Sequence, residues 1–319
     1  MNAFIILNYN TWEMTIRCVE SIFETCKHDY TIYIVDNGSL NDSYQNLKQQ
    51  FKDQKNVIVI QSENFGYARG NNIGIRQAIK DGHDFITIAN NDVIFLEESV
   101  DQMCSFLEKN QDVAVAAPYI LSPEGELQNL PSLKPISIRD YFLYNTKLSN
   151  FASAKRKRQY HLDYYLTGNS IKDDPIPIYK FSGCCFMARG DMLEKIGWFD
   201  EHTFLYYEED ILSHKMYKSG YKAYYLPYAK IVHHHGLTTG KDNLFVDTEM
   251  LKSEMYFLSN IYRLNLFFLL FIYMDRALTP IMKKIKKKYN LTFKEYTAFL
   301  RKTWSHFLRC SKIRSDREI

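Results

Sequence analysis

The chain has 319 residues, 46% of them hydrophobic, and a formal net charge of +3. This size and composition allow a large buried core, and the weak net charge argues against a general nucleic-acid-binding protein. The six cysteines show no metal-ligand spacing, and the chain begins with a strand-like apolar run instead of a signal peptide. We therefore expect a reduced, cytoplasmic setting and no nucleic-acid partner.

Two kinds of apolar segment alternate along the first 121 residues. Short, continuously apolar runs predict buried strands, and apolar residues at helical spacing predict helices. This alternation indicates an α/β fold with a mainly parallel central sheet and helices on both faces. The predicted strands are 3–7, 31–35, 57–60, 85–89 and 113–121, and the predicted helices are 11–26, 43–52, 67–80 and 96–109.

The pattern is less regular in the rest of the chain. Residues 122–177 contain proline, glycine, a basic run and many tyrosines, which favours a functional loop or a small helical insertion. Regular structure is predicted again from residue 178, and the chain is helical from residue 249 onward. The predicted elements between these points are a strand at 178–188, a helix at 209–219 and short strands at 221–225 and 230–232.

Polar side chains follow three of the predicted strands. In a parallel sheet the carboxyl ends of the strands lie along one edge, where ligands bind. One such residue would be a turn signal, whereas the repeated placement favours a shared site over independent turn caps. The residues concerned are Asn8 and Asn10 after the first strand, Asp36 and Asn37 after the second, and Asn90, Asn91 and Asp92 after the fourth.

The segment 199–210 sets five carboxylates among aromatic residues, directly before a predicted helix. An ionised carboxylate in a partly apolar cleft is suited to take a proton from a hydroxyl group. The alternative is a solvated helix N-terminus, which also favours acidic residues. The polar strand ends upstream favour the catalytic interpretation.

The C-terminal region combines an apolar run with a basic one. Residues 265–274 are strongly apolar but too few to span a bilayer. Five lysines lie within residues 283–288. The helix either packs against the main domain or lies at an anionic membrane surface, and the second interpretation predicts a peripheral location on the inner face of the cell membrane.

Eight short segments give the chain a family resemblance. The segments are Ile6–Asn10, Ile34–Ser39, Asn64–Gly74, Asn90–Val93, Ser182–Gly183, Gly197–Glu201, Glu209–Asp210 and His233–Gly236. Taken together and in this order, they resemble the inverting family-2 glycosyltransferases of the GT-A fold, in the branch that contains bacterial rhamnosyltransferases and other polysaccharide-building enzymes. The resemblance covers roughly three quarters of the chain.

The resemblance implies a domain organisation and a reaction. Residues 1–245 would form the GT-A catalytic domain, with a nucleotide-sugar-binding half at 1–121 and an acceptor-binding half at 122–245. Residues 246–319 would form a helical, basic extension. The enzyme would transfer a sugar from a nucleoside-diphosphate donor, dTDP-rhamnose or a UDP-sugar, to a hydroxyl group of a growing polysaccharide or lipid-linked glycan.

Donor-binding roles follow from the matched motifs. Asp36 would accept the imide N–H of a uracil or thymine ring, although a β-turn cap at this position is an alternative. The turn at Gly66 would let the backbone approach the nucleotide, since a helix N-terminus favours anions. The other donor-binding residues implied are Asn8, Asn10, Arg69, Asn72, Asn90 and Asn91.

The resemblance also implies a metal site and a catalytic base. Asp92 occupies the place of the family's Asp-x-Asp motif, in which Asn90 replaces the first acid, and it would bind Mg²⁺ or Mn²⁺. His233 would be a second metal ligand, with His235 as the next candidate. Asp210 would be the base, and Glu209 would orient the acceptor.

Two other functions compete with this one. A sugar nucleotidyltransferase is also an α/β enzyme, but its first strand usually leads into a glycine-rich, basic phosphate loop, and this chain has Asn8-Tyr9-Asn10-Thr11 there. A non-catalytic sugar-binding module is disfavoured by the three retained acids Asp36, Asp92 and Asp210.

Overall fold

A computed structural model describes residues 1–128, 130–167, 171–234, 243–288 and 290–316. Within these ranges the strands form one sheet, ordered β3-β2-β1-β4-β8-β6-β9-β5, with β7 paired to β9. The strands are β1 Asn2–Asn8, β2 Tyr30–Asn37, β3 Val57–Ser62, β4 Phe85–Asn90, β5 Val93–Phe95, β6 Val113–Leu121, β7 Ile176–Ile178, β8 Cys185–Arg189 and β9 Lys222–His233.

The sheet is mixed, and its parallel part is where the sequence places it. Strands β3, β2, β1 and β4 run parallel, as do β6 and β9. Strand β8 runs antiparallel to both of its neighbours, and β5 and β7 run antiparallel to β9. The predicted α/β class is confirmed, with antiparallel pairs in the second half of the sheet.

Helices cover both faces of the sheet, as predicted. Alternate side chains of β1 show why: Phe4 and Ile6 enter one core cluster with Val19 of α1, whereas Ala3 and Ile5 enter another with Ile75 of α3. The helices are α1 Trp12–Thr25, α2 Ser43–Gln50, α3 Tyr67–Lys80, α4 Ser99–Lys109, α5 Ile138–Tyr144, α6 Ala154–Tyr164, α7 Gly190–Ile196, α8 Glu208–Lys218, α9 Leu244–Tyr256, α10 Leu266–Ala277, α11 Thr279–Ile285 and α12 Phe293–Asp316.

Residues 122–177 contain the small helical insertion that was one of the two predictions. Helices α5 and α6 flank a 3₁₀ helix at Lys147–Phe151. The hydroxyl groups of Ser137, Thr146 and Ser153 cap these three helices by accepting backbone N–H groups. These caps mark where the three helices begin, although the spacing of apolar residues in this segment did not predict individual helices.

Two predicted strand boundaries are wrong. The single strand expected at 178–188 is two strands, because the chain turns around Gly183 between β7 and β8. The two strands expected at 221–225 and 230–232 form one strand, β9, which bulges where the partner of Pro118 is Leu226 and the partner of Tyr119 is Lys230. Pairing with β6 maintains β9 across this bulge.

The C-terminal helices build a third core cluster, in which Leu251, Ile272 and Phe307 pack against Ile211 of α8. None of the helices in the described ranges is both long and apolar enough to cross a lipid bilayer. The division of the chain at residue 245 stays a prediction.

Candidate functional site

A cavity of about 630 Å³ lies at the carboxyl ends of β1, β2 and β4. Parallel strands end on one side of a sheet, so the predicted grouping of polar residues there has a structural basis. Six of the twelve predicted site residues line this cavity, namely Gly66, Asn90, Asn91, Asp92, Glu209 and His233. The other six predicted residues belong to the described part of the chain but do not line this cavity. They are Asn8, Asn10, Asp36, Arg69, Asn72 and Asp210.

Asp92 and His233 lie side by side on this wall. The register of β5 with β9 pairs Val93 with His233, so Asp92 follows β4 opposite the end of β9. His233 Nε2 lies 3.3 Å from Asp92 Oδ1, and both side chains are buried. Burial lowers the pKa of His233, but hydrogen bonds to Asp92 and Cys184 outweigh burial and raise it to about 10.

This pair suits a divalent cation in part. A carboxylate and an imidazole are ligands that Mn²⁺ accepts. No group of three His, Cys, Asp or Glu side chains that would hold a metal occurs among the described residues. His235 lies outside them. The pair therefore fits a cation that takes its remaining ligands from a diphosphate and water.

Asn90 and Asn91 have different partners. The hydroxyl of Tyr67 lies 3.2 Å from Asn90 Oδ1 and donates to the Gly183 carbonyl at 2.7 Å. The amide of Asn91 donates to the hydroxyls of Thr11 at 2.8 Å and Thr15 at 3.0 Å. These contacts fix the strand-end loops that shape the cavity.

Asn8, Asp36 and Asn10 form a network behind the cavity wall. The register of β1 with β2 pairs Asn8 with Asp36, and the Asn8 amide donates to the Asp36 carboxylate at 2.8 Å. The backbone N–H and hydroxyl of Ser39 donate to the same carboxylate at 3.1 Å and 2.6 Å. Asn10 accepts the Leu40 N–H at 2.7 Å. The turn cap weighed as an alternative at Asp36 is therefore present, and its contact with a base stays a prediction.

The glycines near α3 serve close packing within the chain. Gly66 has φ +89°, and a Cβ there would lie 2.2 Å from the Phe204 carbonyl oxygen. That carbonyl accepts the Tyr67 N–H at 2.8 Å. A Cβ at Gly70 would lie 2.5 Å from Leu7. Phe204 and Leu7 therefore occupy the space that these glycines leave open. The approach of a nucleotide to the turn at Gly66 stays a prediction.

Arg69 and Asn72 contact the segment before α8. Asn72 is fully buried, and its amide donates to the Phe199 carbonyl and the Glu201 carboxylate, each at 3.0 Å. Arg69 lies over the ring of Phe65 and 3.6 Å from Glu201. Both residues thereby position the acidic segment, and their predicted contact with the donor stays a prediction.

The three consecutive acids of α8 face different surroundings. Tyr206 and Tyr207 have positive φ and turn the chain into the helix. Glu208 and Glu209 line the first cavity, whereas Asp210 lines a second cavity of about 300 Å³. Glu209 lines both. Successive helical residues differ by about 100° in direction, so neighbouring acids reach different spaces.

Electrostatics separate Glu209 from Asp210. Asp210 accepts the Lys180 ammonium at 2.9 Å. Burial and then repulsion from Asp210 raise the pKa of Glu209, against the opposing effect of Lys180. A Cβ at Gly183 would lie 3.4 Å from Glu209 Oε2, so this glycine leaves open space beside the carboxylate. Glu209 combines access to both cavities with a raised affinity for a proton.

The second cavity involves residues that the sequence did not single out. Tyrosines and three cations line it, and the cations are Lys134, Lys180 and Arg276. Lys180 lies two residues before the matched Ser182–Gly183 segment, which was a usable signal. Arg276 belongs to α10, nearly sixty residues after the end of α8, and only tertiary packing brings it here.

Several known proteins are similar to this chain in sequence. The model of glycosyl transferase family 2 matches residues 3–197. An N-acetylglucosaminyl-diphospho-decaprenol L-rhamnosyltransferase of Mycobacterium tuberculosis is 22% identical over 250 residues, covering 75% of this chain and 77% of the relative. A low-salt glycan biosynthesis hexosyltransferase, Agl10, of Haloferax volcanii is 22% identical over 209 residues, covering 65% of this chain and 58% of the relative.

Solved structures share the fold. The structure of GalNAc-T7 with UDP, GalNAc and Mn²⁺ has a TM-score of 0.61 at 13% identity, covering 95% of this chain but only 54% of that one. The structure of Staphylococcus aureus TarS residues 1–349 has a TM-score of 0.53 at 13% identity, covering 99% and 82%. With a family match over more than half of its length, the chain belongs to glycosyl transferase family 2 and is a glycosyltransferase with the GT-A fold.

Proposed function

We propose that the protein is an inverting glycosyltransferase whose donor binds in the first cavity and whose acceptor binds in the second. The observation that carries this proposal is the position of Glu209, whose side chain lines both cavities. A base that takes a proton from an acceptor hydroxyl must lie where the donor sugar and the acceptor meet. The wall shared by the two cavities is that place.

Glu209, rather than Asp210, is the base in this proposal. Its carboxylate takes the proton of the acceptor hydroxyl as that oxygen bonds to the anomeric carbon, and the bond from this carbon to the nucleoside diphosphate breaks. Attack opposite the leaving group inverts the anomeric centre without a covalent enzyme intermediate. Asp210 is the base that the sequence predicts. Its carboxylate accepts a hydrogen bond from Lys180, and its negative charge raises the proton affinity of Glu209.

Asp92 and His233 are the proposed ligands of a divalent cation. The raised pKa of His233 means that a metal must displace a proton there. A bound cation would offset charge on the leaving diphosphate. Mn²⁺ accompanies UDP in the GalNAc-T7 structure, which supports the same pairing here.

The second cavity suits a saccharide. Its tyrosine rings offer stacking surfaces for sugar, and the exposed Lys134 provides a positive charge. The mycobacterial relative is named for an acceptor that joins a sugar to a lipid through diphosphate. We therefore propose a lipid-linked glycan acceptor and a dTDP-rhamnose or UDP-sugar donor.

A transfer assay with paired variants tests this function. Purified protein is incubated with UDP- and dTDP-sugars, Mn²⁺ or Mg²⁺, and a diphosphate-linked N-acetylglucosamine acceptor, and the anomeric configuration of the product is read by NMR. Glu209→Gln is expected to lower transfer by roughly 10²–10⁴-fold while nucleotide binding persists. Asp210→Asn is expected to retain more transfer and to move the acidic limb of the pH profile to lower pH, because it removes a charge that raises the pKa of Glu209.

Opposite behaviour of the two variants would return the base role to Asp210. A product with retained configuration would contradict the inverting mechanism. Absence of transfer from every donor in the panel would contradict the donor class.

A further inference from the structure

An apolar stripe runs along the outer side of α10 and α11. The backbone stays helical through Leu278, which ends α10 and precedes α11. Its exposed apolar residues recur at steps of three or four, which places them on one side of a helix. They are Phe267 at 73% exposure, Leu270 at 37%, Met274 at 52%, Leu278 at 50%, Met282 at 36% and Ile285 at 74%.

The opposite face of α10 anchors the stripe to the protein body. Leu269, Ile272 and Tyr273 are buried in the third core cluster. The Tyr273 ring lies 5.2 Å from the Phe307 ring of α12. The apolar run at 265–274 therefore divides into an inner face that packs against the protein body, which was one of the two predictions, and an outer face that meets solvent.

The exposed charges within residues 266–288 are all positive. Lysines 286, 287 and 288 are exposed directly after α11. The one acid within residues 266–288, Asp275, is buried, and it accepts Arg276 at 2.8 Å and lies 3.4 Å from Lys147. An apolar stripe that ends in exposed lysines is suited to a bilayer surface, because its apolar side chains can enter the acyl boundary while the lysines contact anionic headgroups.

We propose that the stripe and the three lysines dock the protein onto an anionic lipid bilayer, with α10 and α11 lying in the plane of the interface. Phe267, Leu270 and Met274 enter the boundary between headgroups and acyl chains, and lysines 286–288 contact acidic headgroups. The charge complementarity favours a bilayer over a second copy of this chain, since the stripe carries no exposed carboxylate to pair with those lysines. The proposal rests on this surface alone and does not require the proposed reaction.

Vesicle co-sedimentation of the full chain tests the proposal. Vesicles of phosphatidylcholine alone are compared with vesicles containing phosphatidylglycerol, at low and high salt. Wild-type protein is expected to bind the anionic vesicles and to bind less at high salt. Replacing lysines 286–288 with Gln is expected to weaken binding by about two orders of magnitude, and the triple change of Phe267, Leu270 and Met274 to Gln is expected to abolish it.

Leu40→Gln is the matched control, because Leu40 is 87% exposed in a distant loop and its replacement should leave vesicle binding unchanged. Circular dichroism establishes that each variant is folded. Failure of the wild-type protein to bind anionic vesicles at low salt would overturn the proposal. Dimers that form in solution and are lost in the stripe variant, without vesicle binding, would assign the surface to a second copy instead.

Discussion

At the scale of single residues, Glu208 shows how burial controls a charge beside the site. It is the first residue of α8, lines the first cavity and is 3% exposed. Burial and then repulsion from Glu209 raise its pKa from 4.5 to about 8. The folded protein therefore holds a proton on Glu208 at pH values where the unfolded chain has released it.

This proton predicts a pH dependence of stability. The contribution is fully present below pH 4.5 and is lost as pH rises through about 8, so the free energy of unfolding should fall across this range. Glu208→Gln keeps the neutral form and should reduce that fall by roughly 1–3 kcal/mol between pH 5 and 8. Urea denaturation at several pH values measures it, with exposed Glu194→Gln as the control. A slope in Glu208→Gln equal to that of the wild type would show that Glu208 ionises normally.

At the scale of elements, α3 depends on glycines that admit neighbouring backbone and side chains. Gly66 begins the helix where the chain passes the Phe204 carbonyl, and Gly74 lies where a Cβ would be 2.7 Å from Ile5. Phe204 lines the first cavity, so the packing of α3 also shapes this cavity. The helix thus joins the central sheet to the segment that carries the acids.

Gly66→Ala should damage both packing and donor binding. The positive φ and the contact with Phe204 together should lower the free energy of unfolding by roughly 2–4 kcal/mol. Gly82→Ala is the matched control, because Gly82 has φ +83° but nothing within 4 Å of its added Cβ. Chemical denaturation and calorimetry with UDP or dTDP measure the two effects. Equal losses in the two variants would mean that the Phe204 contact contributes nothing.

At the scale of the whole molecule, a buried ionic network joins the C-terminal helices to the insertion. Arg276 of α10 donates to Glu254 of α9 at 2.8 Å and to the Asn145 carbonyl at 2.6 Å. The Tyr141 hydroxyl of α5 donates to the same Glu254 carboxylate at 2.5 Å. Arg276 and Tyr141 also line the second cavity. The proposed acceptor site therefore depends on contacts between distant parts of the chain.

Removing the charge of Glu254 should destabilise the protein strongly. The Glu254 side chain is 2% exposed, and Glu254→Gln leaves the partly buried Arg276 with Asp275 as its remaining carboxylate partner, so the change should cost about 3 kcal/mol. The exposed pair of Asp191 and Lys195 is the control, and Asp191→Asn should cost less than about 1 kcal/mol. Thermal denaturation compares them. A change in Glu254→Gln no larger than that of the control would show that the network does not hold these helices together.

The sequence by itself determined the strands that are buried on both faces. Such strands must be apolar at every position, which is why the runs at 3–7, 31–35 and 85–89 match β1, β2 and β4. Polar residues follow these strands in the sequence. Because parallel strands end on the same side of a sheet, their grouping at one edge could also be predicted. The helix predicted at 209–219 likewise matches α8 to within one residue at each end.

Tertiary structure decided what depends on partners distant in the chain. Strand β5 has three residues, too few for a periodic signal, and exists through pairing with β9. Our proposal of Glu209 rather than Asp210 as the base depends on which of the two side chains lines the first cavity, and two adjacent residues carry no such information in sequence. The outer stripe of α10 was likewise fixed by packing, since core contacts bury Leu269 and Ile272 while leaving Phe267 and Met274 exposed to solvent.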